Sequence, residues 1–169
     1  MIVRNAAVAS LYFVLSVAAF FMSYGIIQFR LSEVLNLLVF FNPAYTLGLT
    51  LGCLLSNIVG AAIGMASWFD LLIGTGCTLV ACLLMIPLRQ LLFASAMPVV
   101  VNGIGVGLEL YYLFGMRSEA ALWVCMGWVA LGEVVVICVV GYPIFLIIRK
   151  YSPGFLDLLG AKRNRDFRF

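Results

Sequence analysis

A single carboxylate, Glu133, lies midway along the apolar run 120–148. Ionisable side chains in such runs are costly in lipid, so they face the interior of a bundle or a water-filled cavity. Glu133 therefore reads either as a protonated or paired group holding helices together, or as a ligand contact. The second reading is favoured, because an unpaired buried carboxylate is expensive without a function. Asn102 and Glu109 stand seven residues apart, which puts them on one helical face. Asn102 is the deeper of the two, while Glu109 is placed equally well for a wet helix end or for function. Asn57 can meet a ligand or make an interhelical hydrogen bond. Asp70 opens an apolar stretch, as a helix cap does, and can instead face a solute. Arg30 and Glu33 are three apart and can pair with each other, whereas Gln28 has no such local partner. What these residues offer is hydrogen bonding and charge complementation to a polar solute. They form an outward polar lid, 28–33, over a pocket whose deeper wall carries Asn102 and Glu133.

The chemistry left out is as informative. Histidine is absent, which removes the commonest general base and metal ligand together. No Ser/His/Asp or Cys/His nucleophile set can be assembled without it. Cys53, Cys77, Cys82, Cys125 and Cys138 stand singly in apolar runs with no C-x-x-C pair, the pattern of small buried hydrophobes. No G-x-x-x-x-G-K-[ST] loop exists to bind ATP. The chain reads as a binder rather than an enzyme, with no metal or cofactor of its own and no nucleic-acid partner.

The elements that must carry these residues are membrane helices. Hydrophobic residues make up 65% of the chain and charged ones 10%, against about 45–50% and about 25% in soluble domains. The N-terminal run resembles a signal peptide but stays uncharged to Gln28 and meets no A-x-A-like site, so it reads as a retained first helix. An all-α bundle of six transmembrane helices is expected over residues 1–150. The helices cover about 4–24, 32–42, 44–64, 70–87, 94–114 and 120–148, since a span needs about 20 apolar residues. The second, starting with Ser32 as a plausible N-cap and stopped by Pro43, is too short for an ordinary span. With six spans, eight of the ten Lys/Arg share one side, and only Arg30 and Arg117 fall on the other. Both termini are then cytoplasmic in a multi-pass cell-membrane protein. Residues 151–169 form a basic tail, a solvated positive-inside end or a contact for anionic lipid or a partner.

Gly48, Gly52, Ser56, Gly60 and Gly64 repeat every four residues, and Gly103 and Gly107 continue the pattern on a later helix. Such stripes let helix backbones approach closely. Ala6 and Ser10, flanked by Ala9, form another small pair, for packing inside the bundle or against another subunit.

The string Tyr24-Gly25-x-x-Gln28-Phe29-Arg30-x-Ser32-Glu33-x-Leu35 resembles the first-loop signature of QueT-type substrate-binding (S) components of energy-coupling factor (ECF) importers. The similarity runs on through Gly48 to Asn57, Asp70-x-x-x-Gly74-Thr75, Pro98 to Gly103, and Gly132-Glu133 with Gly141-x-Pro143, over residues 5 to 150. The resemblance implies a six-helix S component for queuosine precursors, which are 7-deazaguanine bases. It also implies a transmembrane coupling protein and two cytoplasmic ATPases that use the ATP, with toppling of the loaded component in the bilayer. On that reading Glu133 accepts the guanine-like N1–H and N2–H₂ edge in parallel, and Asn102 or Gln28 pairs the O6 carbonyl. Phe29, Tyr24 or Trp68 covers the ring, and Asp70 or Glu109 neutralises an aminomethyl cation. Ala6, Ala9 and Ser10 form the face that docks on the coupling protein. Another vitamin-like ligand, or a self-sufficient secondary transporter, is the alternative.

Overall fold

Leucines 47, 51 and 55 and Ile58 are exposed along one side of a helix whose other side buries Gly48, Gly52, Ser56 and Gly60. Apolar residues outside and small or polar ones inside is the inverse of a soluble helix, and it is the arrangement lipid demands. The computed structural model describes residues 1–19, 28–158 and 160, and it is an all-α bundle. Its helices are α1 (Ile2–Ala18), α2 (Leu31–Phe41), α3 (Tyr45–Ala62), α4 (Trp68–Met85), α5 (Leu91–Tyr112), α6 (Leu122–Tyr151) and α7 (Pro153–Leu158). The helices α2 to α6 lie within a few residues of the expected positions, whereas α1 ends at Ala18 and the rest of the expected first helix, beyond residue 19, lies outside the described residues. Among the described residues four of them, α3 to α6, are long and apolar enough to cross a membrane.

Neighbouring helices pack as α1 on α3, α3 on α4, α4 on α5, and α5 on α6. The glycine stripes allow close approach at the α1–α3 and α5–α6 contacts. A Cβ added at Gly52 would meet the Ala9 carbonyl and Tyr12 Cβ at 2.8 Å, and one at Gly107 would meet Met126 Cα at 2.6 Å. The amide of Gly48, in the first turn of α3, also donates to Asn5 Oδ1 of α1 at 3.0 Å, a polar tie across the interface. Gly64 and Gly115, both at φ +76°, follow the ends of α3 and α5, where left-handed backbone turns the chain cheaply. Ser67 and Asp70 form a reciprocal capping box at the start of α4.

α2 explains its own shortness. It begins as seven 3₁₀ residues, Leu31–Leu37, and ends as four α residues, Leu38–Phe41. At about 2.0 and 1.5 Å per residue it is about 20 Å long, against a hydrocarbon core of about 30 Å. It need not span, because it lies inside the bundle. Its 3₁₀ part touches α1, α3, α5 and α6, and Leu37 to Phe41 are all buried. Phe41 stacks on Phe145 of α6 with centroids 5.3 Å apart. Ser32 does not cap this helix. Its hydroxyl accepts from Ser16 at 2.7 Å instead, tying α2 to α1.

α6 has the opposite irregularity. Val134–Gly141 is π-helical, directly after Glu133, and Pro143 follows in the first turn of the next α segment. A proline inside a helix removes a backbone donor and clashes with the carbonyl four residues back, so the turn before it widens. The overwound α2 and underwound α6 lie against each other, with Leu37 and Val34 beside Gly141. Such segments often mark functional positions. The region expected to be only a tail begins with α7, whose Leu156 is buried in the core; residues 161–169 lie outside the described part.

The α1–α3 contact can be tested directly. Gly52→Val should force the helices apart and lower stability by about 1–3 kcal/mol, the usual cost of overpacking. Thermal unfolding in detergent measures this, and an unchanged melting temperature would mean that the close approach is not required.

A buried polar cluster as the candidate substrate site

Four of the chain's seven acids, Glu33, Asp70, Glu109 and Glu133, are buried in the bundle, and Arg30 is the buried cation among the described residues. Each is held by a different device. Glu33 projects from the 3₁₀ part of α2 and is fully enclosed. The Tyr12 hydroxyl of α1 donates to Glu33 Oε1 at 2.5 Å, and the Asn36 amide, one turn along α2, donates to Oε2. The Thr78 hydroxyl of α4 lies 3.4 Å from Oε1 and 3.2 Å from the Gly74 carbonyl, with one proton for the two. A carboxylate accepting several such bonds can remain in a dry interior.

Arg30 reaches across to the start of α4. Its Nη2 donates to Asn57 Oδ1 at 3.3 Å and stands 3.7 Å from Asp70 Oδ1. Asp70 Oδ2 accepts from the Ser67 amide at 3.0 Å, so this acid is a cap and an ion-pair partner at once. Asn57 donates to the Asp70 carbonyl at 2.9 Å and to Thr75 Oγ1 at 3.2 Å. The local Arg30–Glu33 pairing is thus not what anchors either residue, since each is fixed from other elements. Asn57 ties α3, α4 and Arg30 together, with both ends of its amide engaged.

Asn102 of α5 and Glu133 of α6 form a third unit. Asn102 Nδ2 donates to Glu133 Oε1 at 2.7 Å, while Asn102 Oδ1 and Glu133 Oε2 have no hydrogen-bond partner among the described residues. Neither carboxyl oxygen of Glu109 has one, nor does Gln28 Oε1 or Asn36 Oδ1. The three units adjoin. Glu33 lies within electrostatic reach of Glu133, Asp70 within reach of Glu109, and Arg30 within reach of Glu33, Glu109 and Glu133. The Gln28 backbone runs directly against Gly132, where any Cβ would collide with its carbonyl oxygen. Buried acceptors are normally satisfied, so a set left open is chemically suited to a solute rich in N–H donors.

Of the residues expected from sequence, the structure gathers Gln28, Arg30, Glu33, Asn57, Asp70, Asn102, Glu109 and Glu133 into this interior. The 28–33 segment is correspondingly not an exposed lid. Gln28, Arg30, Ser32 and Glu33 are all buried, because α2 is threaded through the bundle. Phe29 is half-buried and packs against the core. Trp68 is 63% exposed on the outer surface and cannot cover a ring bound inside. Tyr24 lies outside the described residues. Ala6 and Ser10 are exposed on α1, whereas Ala9 turns inward against Gly52. Tyr12, Asn36, Thr75 and Thr78 join the cluster unannounced. Asn36 had a signal, since it stands three residues from Glu33 on a helix, but Tyr12 looks like any amphipathic aromatic in an apolar run.

The sequence profile of the QueT transporter family matches residues 2–150. The chain belongs to the QueT transporter family. It is 42% identical over 81 residues to the queuosine precursor transporter QueT of Lactococcus lactis subsp. cremoris (strain MG1363). That stretch is 47% of this chain and 45% of the relative, so the match spans about half the relative's length. No solved structure matches the chain. The family match covers α1 to α5, α6 as far as Lys150, and every described member of the cluster.

Tyr12→Phe removes a donor from the enclosed Glu33 carboxylate while keeping the ring. It should cost about 1–3 kcal/mol, the usual penalty for a buried group deprived of its bond. Denaturation of the purified protein measures it, and a neutral result would show that Asn36 and Thr78 suffice.

Proposed function

We propose that this chain is the substrate-binding S component of an ECF importer and captures a queuosine precursor, a 7-deazaguanine base such as queuine or its smaller precursors. The observation that carries the base assignment is the Asn102–Glu133 pair, buried with one open acceptor oxygen on each residue. A guanine-like edge presents N1–H and N2–H₂ side by side, and a carboxylate has lone pairs for both in addition to its bond from Asn102. Asn102 spends its nitrogen on Glu133, so it serves the ligand as an acceptor. The O6 carbonyl then falls to the amide of Gln28. With Trp68 outside, Phe29 and Tyr24 are the aromatic candidates for the ring.

The chain has no ATP-binding loop, so active uptake needs energy from elsewhere. In the proposed mechanism a transmembrane coupling protein and two cytoplasmic ATPases supply it, and toppling of the loaded bundle delivers the base inward. The exposed Ala6 and Ser10 on α1 offer small side chains for docking on the coupling protein. The Lys/Arg asymmetry supports cytoplasmic termini.

Two measurements test this. Queuine, its two smaller precursors and guanine should be assayed for thermal stabilisation of the detergent-purified protein. At least one 7-deazaguanine should stabilise it, and Glu133→Gln should weaken that ligand by about tenfold or more, as loss of a charged hydrogen-bond acceptor does. No stabilisation by any of them would sink the substrate. Liposomes carrying the chain alone should not accumulate the base, whereas adding the coupling and ATPase subunits with ATP should give uptake. Accumulation by the chain alone would instead identify a secondary transporter.

A further inference from the structure

On the lipid side of the bundle the crease between α4 and α5 opens into an apolar groove of about 410 Å³. Gly76 and Cys77 of α4 and Gly105 of α5 form its floor, and the exposed Val80, Val100 and Ile104 form its rims. The two glycines shape it differently. A Cβ at Gly76 would meet nothing within 4 Å, so that part of the floor is open, whereas Cys77 Sγ fills the place a Cβ at Gly105 would take. A partner helix about 10 Å across would rest on the rims and leave this floor empty, while a single hydrocarbon chain reaches it.

The length of the groove and the residues at its mouth point to the same occupant. α5 has 22 residues, about 33 Å, so Val101 on the groove wall lies near the middle of a hydrocarbon core of about 30 Å. Gly105 follows Val101 by four residues and Tyr112 follows by seven more, all on one helical face. From Val101 to Tyr112 that face rises about 16 Å, the depth of one leaflet. There Tyr112 is 57% exposed, and the guanidinium of Arg117 sits over its ring, 5.9 Å from the centroid. α4 begins beside this end of α5, with Asp70 within electrostatic reach of Glu109, and it brings the exposed Trp68 and Phe69. Aromatic rings exposed at this depth belong to the headgroup level of a bilayer. Arg117 has no ion-pair partner among the described residues, so it adds an uncompensated positive charge at the same level. A chain-length apolar groove that ends in aromatic rings and a cation is complementary to a phospholipid with an anionic headgroup.

We propose that the α4–α5 groove is a specific site for one phospholipid, with an acyl chain seated on Gly76 and Gly105 and the anionic headgroup at Arg117. The site is separate from the polar cluster and does not depend on the base-binding reading. Thr78 and Asn102 turn inward from the same two helices, so the seated chain braces the wall behind the cluster.

The test counts lipids bound to the delipidated full-length protein in detergent by native mass spectrometry. Palmitoyl-oleoyl phosphatidylglycerol is the anionic probe, and phosphatidylcholine with the same chains is the zwitterionic one. In wild type the first phosphatidylglycerol should bind at least about tenfold tighter than later ones, and about fivefold tighter than the first phosphatidylcholine, the scale of one basic residue at a membrane surface. Gly76→Leu places a side chain in the open groove and should abolish the tight first site. Gly127→Leu, equally unobstructed but on α6, should leave that site intact. Arg117→Gln should keep a tight first lipid and lose the preference for phosphatidylglycerol. A single affinity for successive lipids in wild type would overturn the site, as would a first site that survives Gly76→Leu or is lost in Gly127→Leu. A phosphatidylglycerol preference untouched by Arg117→Gln would overturn the placement of the headgroup.

Discussion

A carboxylate sealed from water has to be ringed by donors, and around Glu33 they come from three elements. Tyr12 brings α1, Asn36 brings the next turn of α2, and Thr78 brings α4. Lipid provides no hydrophobic drive to press these helices together, so polar contacts and close backbone approach must do it. Glu33 can sit where it does only because α2 runs through the middle of the bundle. α2 can run there only because Gly48 and Gly52 let α1 lie close on α3, and because Gly132 and Gly141 clear space on α6. The acid, the short helix and the glycines are one constraint seen from three sides.

The remaining polar groups follow from the same arrangement. Threading α2 inward carries Gln28, Arg30 and Ser32 with it, and Arg30 becomes the buried positive centre between Asp70 and the acids of α5 and α6. A structural salt bridge alone would need one acid for this arginine. The chain supplies four buried acids and satisfies them unequally: Glu33 and Asp70 are heavily bonded, Glu133 accepts from Asn102 alone, and no described N–H or hydroxyl donates to Glu109. That gradient separates groups tied into the fold from groups that, on the proposed function, meet the solute. It runs from α1 and α2 toward the α5–α6 side of the molecule.

The helices were legible in the sequence because spanning segments are defined by length and apolarity, and the glycine stripes announced which faces would meet. The eight polar residues were legible for a related reason. In a chain this apolar, each charged or amide side chain at depth stands out, and burial is its expected fate. What could not be read was how they divide the work. Spacing suggested that Arg30 and Glu33 pair with each other, because i to i+3 neighbours meet on a helix. The structure gives each its own set of partners, Tyr12, Asn36 and Thr78 for Glu33 and Asn57 and Asp70 for Arg30, a largely long-range outcome that local spacing does not encode. Trp68 misled for a similar reason, since aromatic character marks a ring-stacking candidate equally well on either face of a turn. The 3₁₀ and π stretches were invisible as such. Leu31–Leu37 and Val134–Gly141 have no composition that distinguishes them from α-helix, and tertiary contact selects their winding.

Those two stretches bear on how a closed site can admit anything. α-Helices interlock by regular hydrogen bonding, and a change of register within one is costly. A helix already wound to 3₁₀ or π geometry holds weaker or shifted bonds, so its alternative windings lie closer in energy. Here the two irregular segments are packed on each other, and each carries a cluster acid at one end or within it: Glu33 in α2 and Glu133 at the threshold of the π segment. The Gln28 backbone, just before α2, presses on Gly132 beside Glu133. A small rewinding of α2 would therefore move the segment that covers Glu133 while leaving the α1–α3 and α5–α6 glycine contacts intact. On the proposed function, the glycine contacts would then be the fixed frame and α2 the part that rearranges, with the polar cluster at their boundary.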